Sequence, residues 1–348
     1  MTMRRARVKA EGEAFYHVMS RCALQQHLLT DDVKGMFMKI LRRAEYFSGV
    51  KIVNYCIMDN HFHLLLKIPK SSEVSEVDLD NRIKVLYGVK KAGAIFKRWD
   101  LLKTIGSRTV VENERNAFRK RMFDLSEFMK TFKQRFSLWY CTNHGNLEGT
   151  IWQGPFHSVL VEGNHDALAA ISAYIALNPV RAGIVKNACD YSWSGYGAAA
   201  NGDRGAKKAL LSAYGGSATI DKKWASYQSM IAETECCGDE PDTISQKRHA
   251  FGTNNNRGEE NIDGNGTLSI DTGDNYMANN ANATTKQGAN ALKHRNSQIS
   301  RGIAFGSKCF VTSAIRSASK TNEVLTYPLA FCLGERKTQL FCAGRRMA

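Results

Sequence analysis

The stretch VKIVNYCIMDNHFHLLLKI, residues 50–68, decides the fold of this 348-residue chain. Two runs of mainly β-branched, aromatic and leucine residues, 50–58 and 61–68, meet at the turn-like Met58-Asp59-Asn60. Apolar runs of this length on either side of a short polar turn are typical of two strands joined in a hairpin. The stretch therefore predicts a β-hairpin.

The segments around this hairpin alternate between helix and strand signals. Residues 13–21 have the composition of a strand, and 31–47 place apolar residues at helical spacing, with Thr30 or Asp31 as cap. Further along, 126–141 indicates a helix, 156–162 a strand, and 165–177 a helix that ends at an Asn-Pro pair. This order predicts an α+β fold: a ferredoxin-like (RRM-like) antiparallel sheet with helices on one face.

Composition divides the rest of the chain. Residues 71–125 are charged and carry helical patches, and we interpret them as a helical insertion within a domain that spans 1–200. Residues 201–251 predict a partly helical C-terminal extension. Residues 252–300 are rich in Asn, Gly, Asp and Thr, so we expect a disordered linker, because too little apolar surface is present to offset the ordering entropy. A short tail, 301–348, is expected to contain one helix.

The chain is strongly basic, with a formal net charge of +15 and a pI near 9.4. Such a charge favours polyanionic partners, because phosphate binding releases counterions. Basic clusters interleaved with aromatic residues, as in 96–99 and 115–123, suit single-stranded nucleic acid, whose bases stack on aromatic rings. Solvated helix faces with aromatic anchors explain each cluster equally well, and a membrane surface or simple solubility are further alternatives.

The cellular location follows from what the sequence lacks. No run of about 18 uninterrupted apolar residues occurs, so a transmembrane helix and a membrane partner are not expected. The basic N-terminus has no apolar block typical of a secretory signal. The nine cysteines are scattered without Cys-x-x-Cys pairs, so we expect reduced thiols rather than a zinc site. A cytoplasmic, nucleoid-associated protein is predicted.

His61-Phe62-His63 lies in the second strand of the hairpin. Successive side chains of a strand point to opposite faces, so both imidazoles are expected on one face and Phe62 in the core. Two neutral imidazoles that converge from one strand form a two-ligand platform for a divalent ion. A satisfied surface pair is the alternative, since His-x-His also occurs by chance.

Tyr174 and Asn178 share a face of the helix at 165–177, because they stand at positions i and i+4. A phenol and a carboxamide that project together could supply a nucleophile and an oxygen ligand. The alternative is a tyrosine packed on the sheet and an asparagine that caps the helix end before Pro179.

Three ordered motifs resemble one enzyme family: NHFHLLL at 60–66, WQGPFHSVLVEG at 152–163 and YIALNPVRAGIV at 174–185. They look like the motifs of the single-tyrosine HUH transposases (IS200-like), in particular of the REP-associated tyrosine transposases. Tyr16-His17-Val18 and the YSWSGY segment at 191–196 are similar to the family's opening and closing segments. The resemblance covers roughly 10–200 and identifies that span as an HUH transposase-like catalytic domain.

The resemblance implies a role for each matching residue. His61 and His63 would bind a metal, Tyr174 would be the catalytic nucleophile, and Asn178 would complete the coordination. Two imidazoles and one oxygen ligand with open positions suit Mg²⁺ or Mn²⁺, and no organic cofactor is implied. The resemblance and position suggest DNA contact for five residues: Arg21, Trp152, Gln153, His157 and Arg181. Core packing is the alternative for Trp152, and a favourable charge at the helix C-terminus is the alternative for Arg181.

The resulting prediction is an enzyme. It is a metal-dependent single-strand DNA endonuclease and strand transferase that cleaves through a 5′-phosphotyrosine intermediate, on hairpin or palindromic DNA. A non-catalytic DNA- or RNA-binding regulatory protein on the same scaffold is the alternative. A histidine-triad phosphodiesterase would need another histidine where Leu65 stands. Both a monomer and a homodimer remain open.

Overall fold

A computed structural model describes residues 8, 10, 12–145, 150–213, 218–236, 304–307, 309–311, 313–314, 330–333 and 340–343. The strands are β1 (Ala14–Arg21), β2 (Lys51–Ile57), β3 (His61–Ile68), β4 (His157–Val161), β5 (Ala304–Gly306), β6 (Ala330–Leu333) and β7 (Leu340–Ala343). The helices are α1 (Asp31–Ser48), α2 (Glu76–Tyr87), α3 (Val89–Thr104), α4 (Arg108–Arg119), α5 (Leu125–His144), α6 (His165–Ala176), α7 (Asn178–Arg181), α8 (Gly195–Ala200), α9 (Arg204–Leu211) and α10 (Ile220–Cys236).

The strands form one sheet in the order β2-β3-β1-β4-β5-β7-β6. Strands β3 and β4 flank β1 in antiparallel pairing, and β2 pairs with β3 across the predicted hairpin. Arg21 lies opposite His61, and Met19 opposite His63, so the end of β1 borders the histidine pair. The predicted α+β class with its antiparallel core is confirmed, while β4 and β5 pair in parallel.

Helices cover both faces of the sheet, not one face as the sequence suggested. On one face Phe62 packs with Phe37 of α1 and Phe132 of α5. On the other face Leu65 packs in a cluster with Ile171 of α6. The physical reason lies in the leucine run of β3, because a strand that is apolar on both sides must be covered on both sides.

The insertion is helical, as predicted, and consists of α2, α3 and α4. These helices share an apolar core of their own that includes Leu79, Ile83 and Trp99, and Phe47 of α1 closes it. Gly88 separates α2 from α3 with φ of 82°, a left-handed conformation that favours glycine. The insertion therefore forms a compact helical unit on the α1 side of the sheet.

The chain beyond residue 200 continues the structure. Leu210 of α9 and Tyr227 of α10 pack in one cluster with Ala173 of α6. In the tail, 309–311 and 313–314 are helical where one helix was expected, but strands β5, β6 and β7 were not expected. The predicted disordered linker at 252–300 lies outside the described residues. Among the helices that the structure describes, none has the length and apolar character needed to cross a membrane.

Candidate active site

Strand β3 presents both imidazoles of the His-x-His pair on one face of the sheet. The ring centroids of His61 and His63 lie 5.1 Å apart, while Phe62 between them is buried in the opposite cluster. His63 is buried and His61 is half-buried. The alternation predicted from the sequence is therefore present, and it places two nitrogen ligands side by side.

The environment keeps the His61 ring neutral and orients it. Burial lowers the pKa of His61 to about 3, and the positive charge of Arg21 contributes to this lowering. The Nδ1 atom of His61 lies 2.6 Å from the amide oxygen of Asn60. An amide oxygen only accepts hydrogen bonds, so Nδ1 carries the proton and the lone pair of Nε2 remains for a ligand.

His17 on β1 is a third histidine beside this pair, and the sequence analysis named it only within the family-like segment Tyr16-His17-Val18, without a site role. Its Nε2 atom lies 2.9 Å from Nδ1 of His63, and the two rings stack with centroids 5.2 Å apart. When Nδ1 of His63 donates in this bond, Nε2 of His63 faces away with a free lone pair. Burial, followed by the charges of His61 and His17, lowers the pKa of His63 well below its usual range.

Helix α6 brings Tyr174 to the same place. Asn164 caps the start of the helix, and its side chain accepts a hydrogen bond from the Ala167 amide at 2.8 Å. The Tyr174 ring lies edge-on to His63 and His17, with centroid distances of 5.7 Å and 5.6 Å. The structure thus brings together the tyrosine and the histidine pair, which are more than a hundred residues apart in the chain.

The Tyr174 side chain is only 5% exposed. The guanidinium of Arg181 lies 5.2 Å from the centre of the Tyr174 ring, and its Nη1 donates to the Tyr174 carbonyl at 3.1 Å. Burial lowers the pKa of Arg181 from its usual value. Arg181 therefore places a positive charge beside the phenol ring.

Asn178 follows α6 and closes its end. The side-chain amide of Asn178 donates to the Tyr174 carbonyl at 2.8 Å, which is the helix-capping alternative considered from the sequence. The bond uses only the nitrogen of the carboxamide, so the oxygen of the same group remains as a donor atom for a metal. Capping and metal ligation by Asn178 are therefore compatible.

The remaining DNA-contact candidates divide between the site and the interior. Arg21 stands at the end of β1 beside His61, and the Gln153 backbone amide donates to the Arg21 carbonyl at 3.0 Å. His157 is half-buried at the start of β4. Trp152 is buried, its indole donates to Ser137 at 3.0 Å, and its ring contacts Phe62. The structure favours the core alternative for Trp152.

A buried chain of hydrogen bonds holds α6 in place. Asn54, at a β-bulge in β2, donates to the Ser172 hydroxyl at 2.8 Å and to its carbonyl at 3.1 Å. The Tyr227 hydroxyl of α10 donates to the same Ser172 hydroxyl at 3.1 Å. Because Ser172 lies two residues before Tyr174, these bonds fix the part of α6 that carries the phenol.

His61 and His63 offer imidazole nitrogens, which are a common class of metal ligand. No group of three or more His, Cys, Asp or Glu residues suited to a metal occurs in the part of the chain that the structure describes. The side-chain oxygen of Asn178, whose nitrogen caps α6, is a further candidate donor by its closeness to Tyr174 in the chain. Imidazole nitrogens suit transition metals, whereas a carbonyl oxygen such as that of an amide suits Mg²⁺ and Mn²⁺.

Comparison with known proteins finds a family match for the N-terminal part of the chain. Residues 12–88 match the model of the family described as "Transposase IS200 like". A REP-associated tyrosine transposase bound to a REP hairpin is 16% identical, with a TM-score of 0.37 over 63% of this chain and 94% of that chain. A putative transposase from Deinococcus radiodurans R1 is 18% identical, with a TM-score of 0.24 over 50% of this chain and 95% of that chain.

No functionally curated protein matches the chain. The family match spans β1, α1, the hairpin that carries His61 and His63, and α2. It supports a transposase function and agrees with the recognition made from the sequence motifs. Residues 12–88 are therefore similar to the IS200-like transposase family.

Proposed function

We propose that this protein is a metal-dependent single-strand DNA endonuclease and strand transferase that acts through a covalent bond between Tyr174 and DNA. The observation that carries the proposal is the contact of the Tyr174 ring with the His63 ring, at a centroid distance of 5.7 Å. A nucleophile and a metal platform must meet at one phosphate, and the contact between these two rings supports such an arrangement.

The chemistry uses few groups. The phenolic oxygen of Tyr174 attacks the scissile phosphorus, a new P–O bond forms, and the bond to the 3′ oxygen breaks, leaving a 5′-phosphotyrosine and a free 3′-OH. The phenol proton is lost and the 3′ oxygen gains a proton. A phenol in water ionises only near pH 10, so attack at neutral pH requires help.

The residues around Tyr174 supply that help. A Mg²⁺ or Mn²⁺ ion held by His61, His63 and Asn178 would polarise the scissile phosphate as a Lewis acid. The Arg181 guanidinium, 5.2 Å from the Tyr174 ring centre, favours negative charge on the attacking oxygen and on the phosphate. Because one phosphate ester is exchanged for another of similar energy, the 3′-OH can reverse the step without ATP.

Hairpin or palindromic DNA is the proposed substrate, because the motifs of the chain resemble those of the REP-associated tyrosine transposases. The basic character of the chain supports a nucleic-acid partner, with which the protein would associate at the nucleoid. A monomer and a homodimer both suit the proposal, and light scattering of the purified protein distinguishes them.

The test is formation of a covalent protein–DNA adduct with hairpin DNA that carries a single-stranded flank, in the presence of Mn²⁺. We expect an adduct that survives denaturing electrophoresis, with its nucleotide on the peptide containing Tyr174. Tyr174→Phe should abolish the adduct because phenylalanine has no attacking oxygen. Tyr46→Phe is the matched control, since Tyr46 is 50% exposed on α1, and it should leave the adduct intact.

Burial of Tyr174 favours a second candidate, a non-catalytic DNA-binding regulator on the same scaffold. Only 5% of this residue is exposed, so little of it is accessible to DNA in this conformation. Salt-dependent DNA binding without any adduct, across a panel of hairpins, would support this candidate and overturn the first.

A further inference from the structure

The turn Met58-Asp59-Asn60 between β2 and β3 carries the residue that orients the His61 ring. The amide oxygen of Asn60 lies 2.6 Å from Nδ1 of His61. The hydrogen bond at one ring nitrogen of a histidine decides which nitrogen is left for a ligand. Whatever fixes this turn therefore acts on the His61 nitrogen that the proposed function uses.

Backbone hydrogen bonds hold the turn from two directions. The Leu29 amide donates to the Asp59 carbonyl at 2.9 Å, and the Cys22 amide donates to the Asn60 carbonyl at 2.8 Å. These bonds join the turn to the segment before α1 and to the end of β1. They use only backbone atoms, so the Asp59 carboxylate remains for a further contact.

Lys34 of α1 supplies that contact. Its side chain is only 4% exposed, and Nζ donates to the Asp59 carboxylate at 2.7 Å and to the Asp31 carboxylate at 3.1 Å. The same Nζ lies 5.6 Å from the ring centre of Tyr191, whose hydroxyl donates to the Ile57 carbonyl at 2.7 Å. The amine therefore lies between the start of α1, the turn and the end of β2.

The Lys34 amine remains charged although it is buried. Burial acts to lower the pKa of Lys34, but the hydrogen bonds, chiefly that to Asp59, outweigh burial, so the pKa lies above its usual value. A buried ion pair contributes little net stability, because desolvation of both charges offsets their attraction. The pair does fix geometry, since moving Asp59 away would leave a buried charge without its nearest partner.

We propose that Lys34 is a positioning residue for His61: it holds Asp59, and through the turn it keeps Asn60 where its amide oxygen receives the Nδ1 proton of His61. The inference deepens the proposed function and rests on it, because His61 is a ligand of the proposed metal. None of the hydrogen bonds that the structure describes joins Lys34 to a histidine, so its effect on His61 passes through the turn.

The test uses a variant that removes the ion pair without changing the net charge: Lys34→Met together with Asp59→Asn. Methionine is long and flexible enough to fill the space of the buried lysine. The matched control is Lys67→Met together with Glu13→Gln, which removes an ion pair of 2.9 Å at the other end of β3. Asn60→Ala removes the proposed acceptor directly. Urea unfolding checks the fold, and Asp59→Asn alone replaces the paired variant if that variant does not fold.

The first measurement is nitrogen NMR of the His61 ring in the full chain, without metal and without DNA. We expect the paired variant and Asn60→Ala to shift the ring toward the form protonated at Nε2, while the control keeps the wild-type tautomer. The second measurement is Mn²⁺ affinity by isothermal titration. We expect a loss of about 10-fold in the paired variant and about 10–100-fold in Asn60→Ala, the range for groups that orient a metal ligand.

Combining the changes shows whether Lys34 acts through Asn60. When the paired change is added to Asn60→Ala, Mn²⁺ affinity should fall by no more than about twofold further, because the acceptor that the pair positions is already gone. A full additional 10-fold loss would overturn the proposal, since independent effects multiply. A wild-type tautomer in the paired variant, or an equal shift in the control, would also overturn it. Absence of a covalent adduct would count only against the proposed function, because the tautomer is measured without metal or DNA.

Discussion

The two faces of β3 are built from alternate residues of one strand, yet one face is apolar and the other carries polar rings. Phe62 faces an apolar cluster, in which its ring centroid lies 5.0 Å from that of Phe37 and 5.9 Å from that of Phe132. His61 and His63 face a cluster of polar rings that includes His17 and Tyr174. One face supplies the stability of the sheet, and the other holds buried polar groups in place at a cost in desolvation.

The largest effect is expected on the polar face. His63→Gln removes a proposed metal ligand but keeps a polar side chain, so Mn²⁺ affinity and adduct yield should fall by more than about 100-fold, beyond the usual loss for an outer-shell partner. Isothermal titration and the adduct assay measure the two quantities. His165→Gln, at an exposed histidine of α6, is the control and should have no effect.

If the His63→Gln variant binds Mn²⁺ as tightly as the wild type, His63 is not a metal ligand. Unfolding by urea must accompany the assay, because a variant that fails to fold would mimic the loss.

A change on the apolar face should lower the stability of the fold and leave metal affinity unchanged. Phe62→Ala leaves a cavity among several aromatic rings, so we expect the free energy of unfolding to fall by about 3–5 kcal/mol. Urea denaturation measures this change. In the fraction that stays folded, Mn²⁺ affinity should remain close to that of the wild type. A cost below about 1 kcal/mol, less than a typical large-to-small core change, would show that the ring cluster does not support the sheet.

The smallest effect is expected at His17, which touches His63 without being a proposed ligand. His17→Phe removes the partner of the His63 Nδ1 atom, so Mn²⁺ affinity should fall by about 10–100-fold. Nitrogen NMR of the His63 ring should at the same time show a changed tautomer balance. His27→Gln, at an exposed histidine, is the control. Unchanged affinity together with an unchanged tautomer would make His17 a packing residue only.

The sequence predicted local features well because they depend on neighbouring residues. The alternation around Phe62 placed the histidine pair on one face. The shared helix face of Tyr174 and Asn178 stays a prediction, because α6 ends at Ala176 and the Asn178 side chain caps the Tyr174 carbonyl. The predicted strand at 61–68 has the bounds of β3, and the predicted helix at 165–177 differs from α6 by one residue.

The features that sequence reasoning missed depend on distant contacts. His17 acquires its role only when β1 pairs with β3, and a single histidine in an apolar strand gives no local signal of that kind. The available hints were its position in β1 on the same face as Phe15 and Met19, and its place in the segment Tyr16-His17-Val18, which resembles the family's opening segment. Strands β5 to β7 contain three or four residues each, too few for a period to be recognised.

The central claim is that Tyr174 and the ion held by the histidine pair occupy one site. Paramagnetic broadening by Mn²⁺ of ¹³C-labelled tyrosine rings tests it directly, with the Tyr174 signal assigned through Tyr174→Phe. The account predicts that Mn²⁺ removes the Tyr174 signal first, leaves the signal of exposed Tyr46 visible, and fails to remove the Tyr174 signal in His63→Gln. A Tyr174 signal that stays sharp while Mn²⁺ is bound would contradict the account.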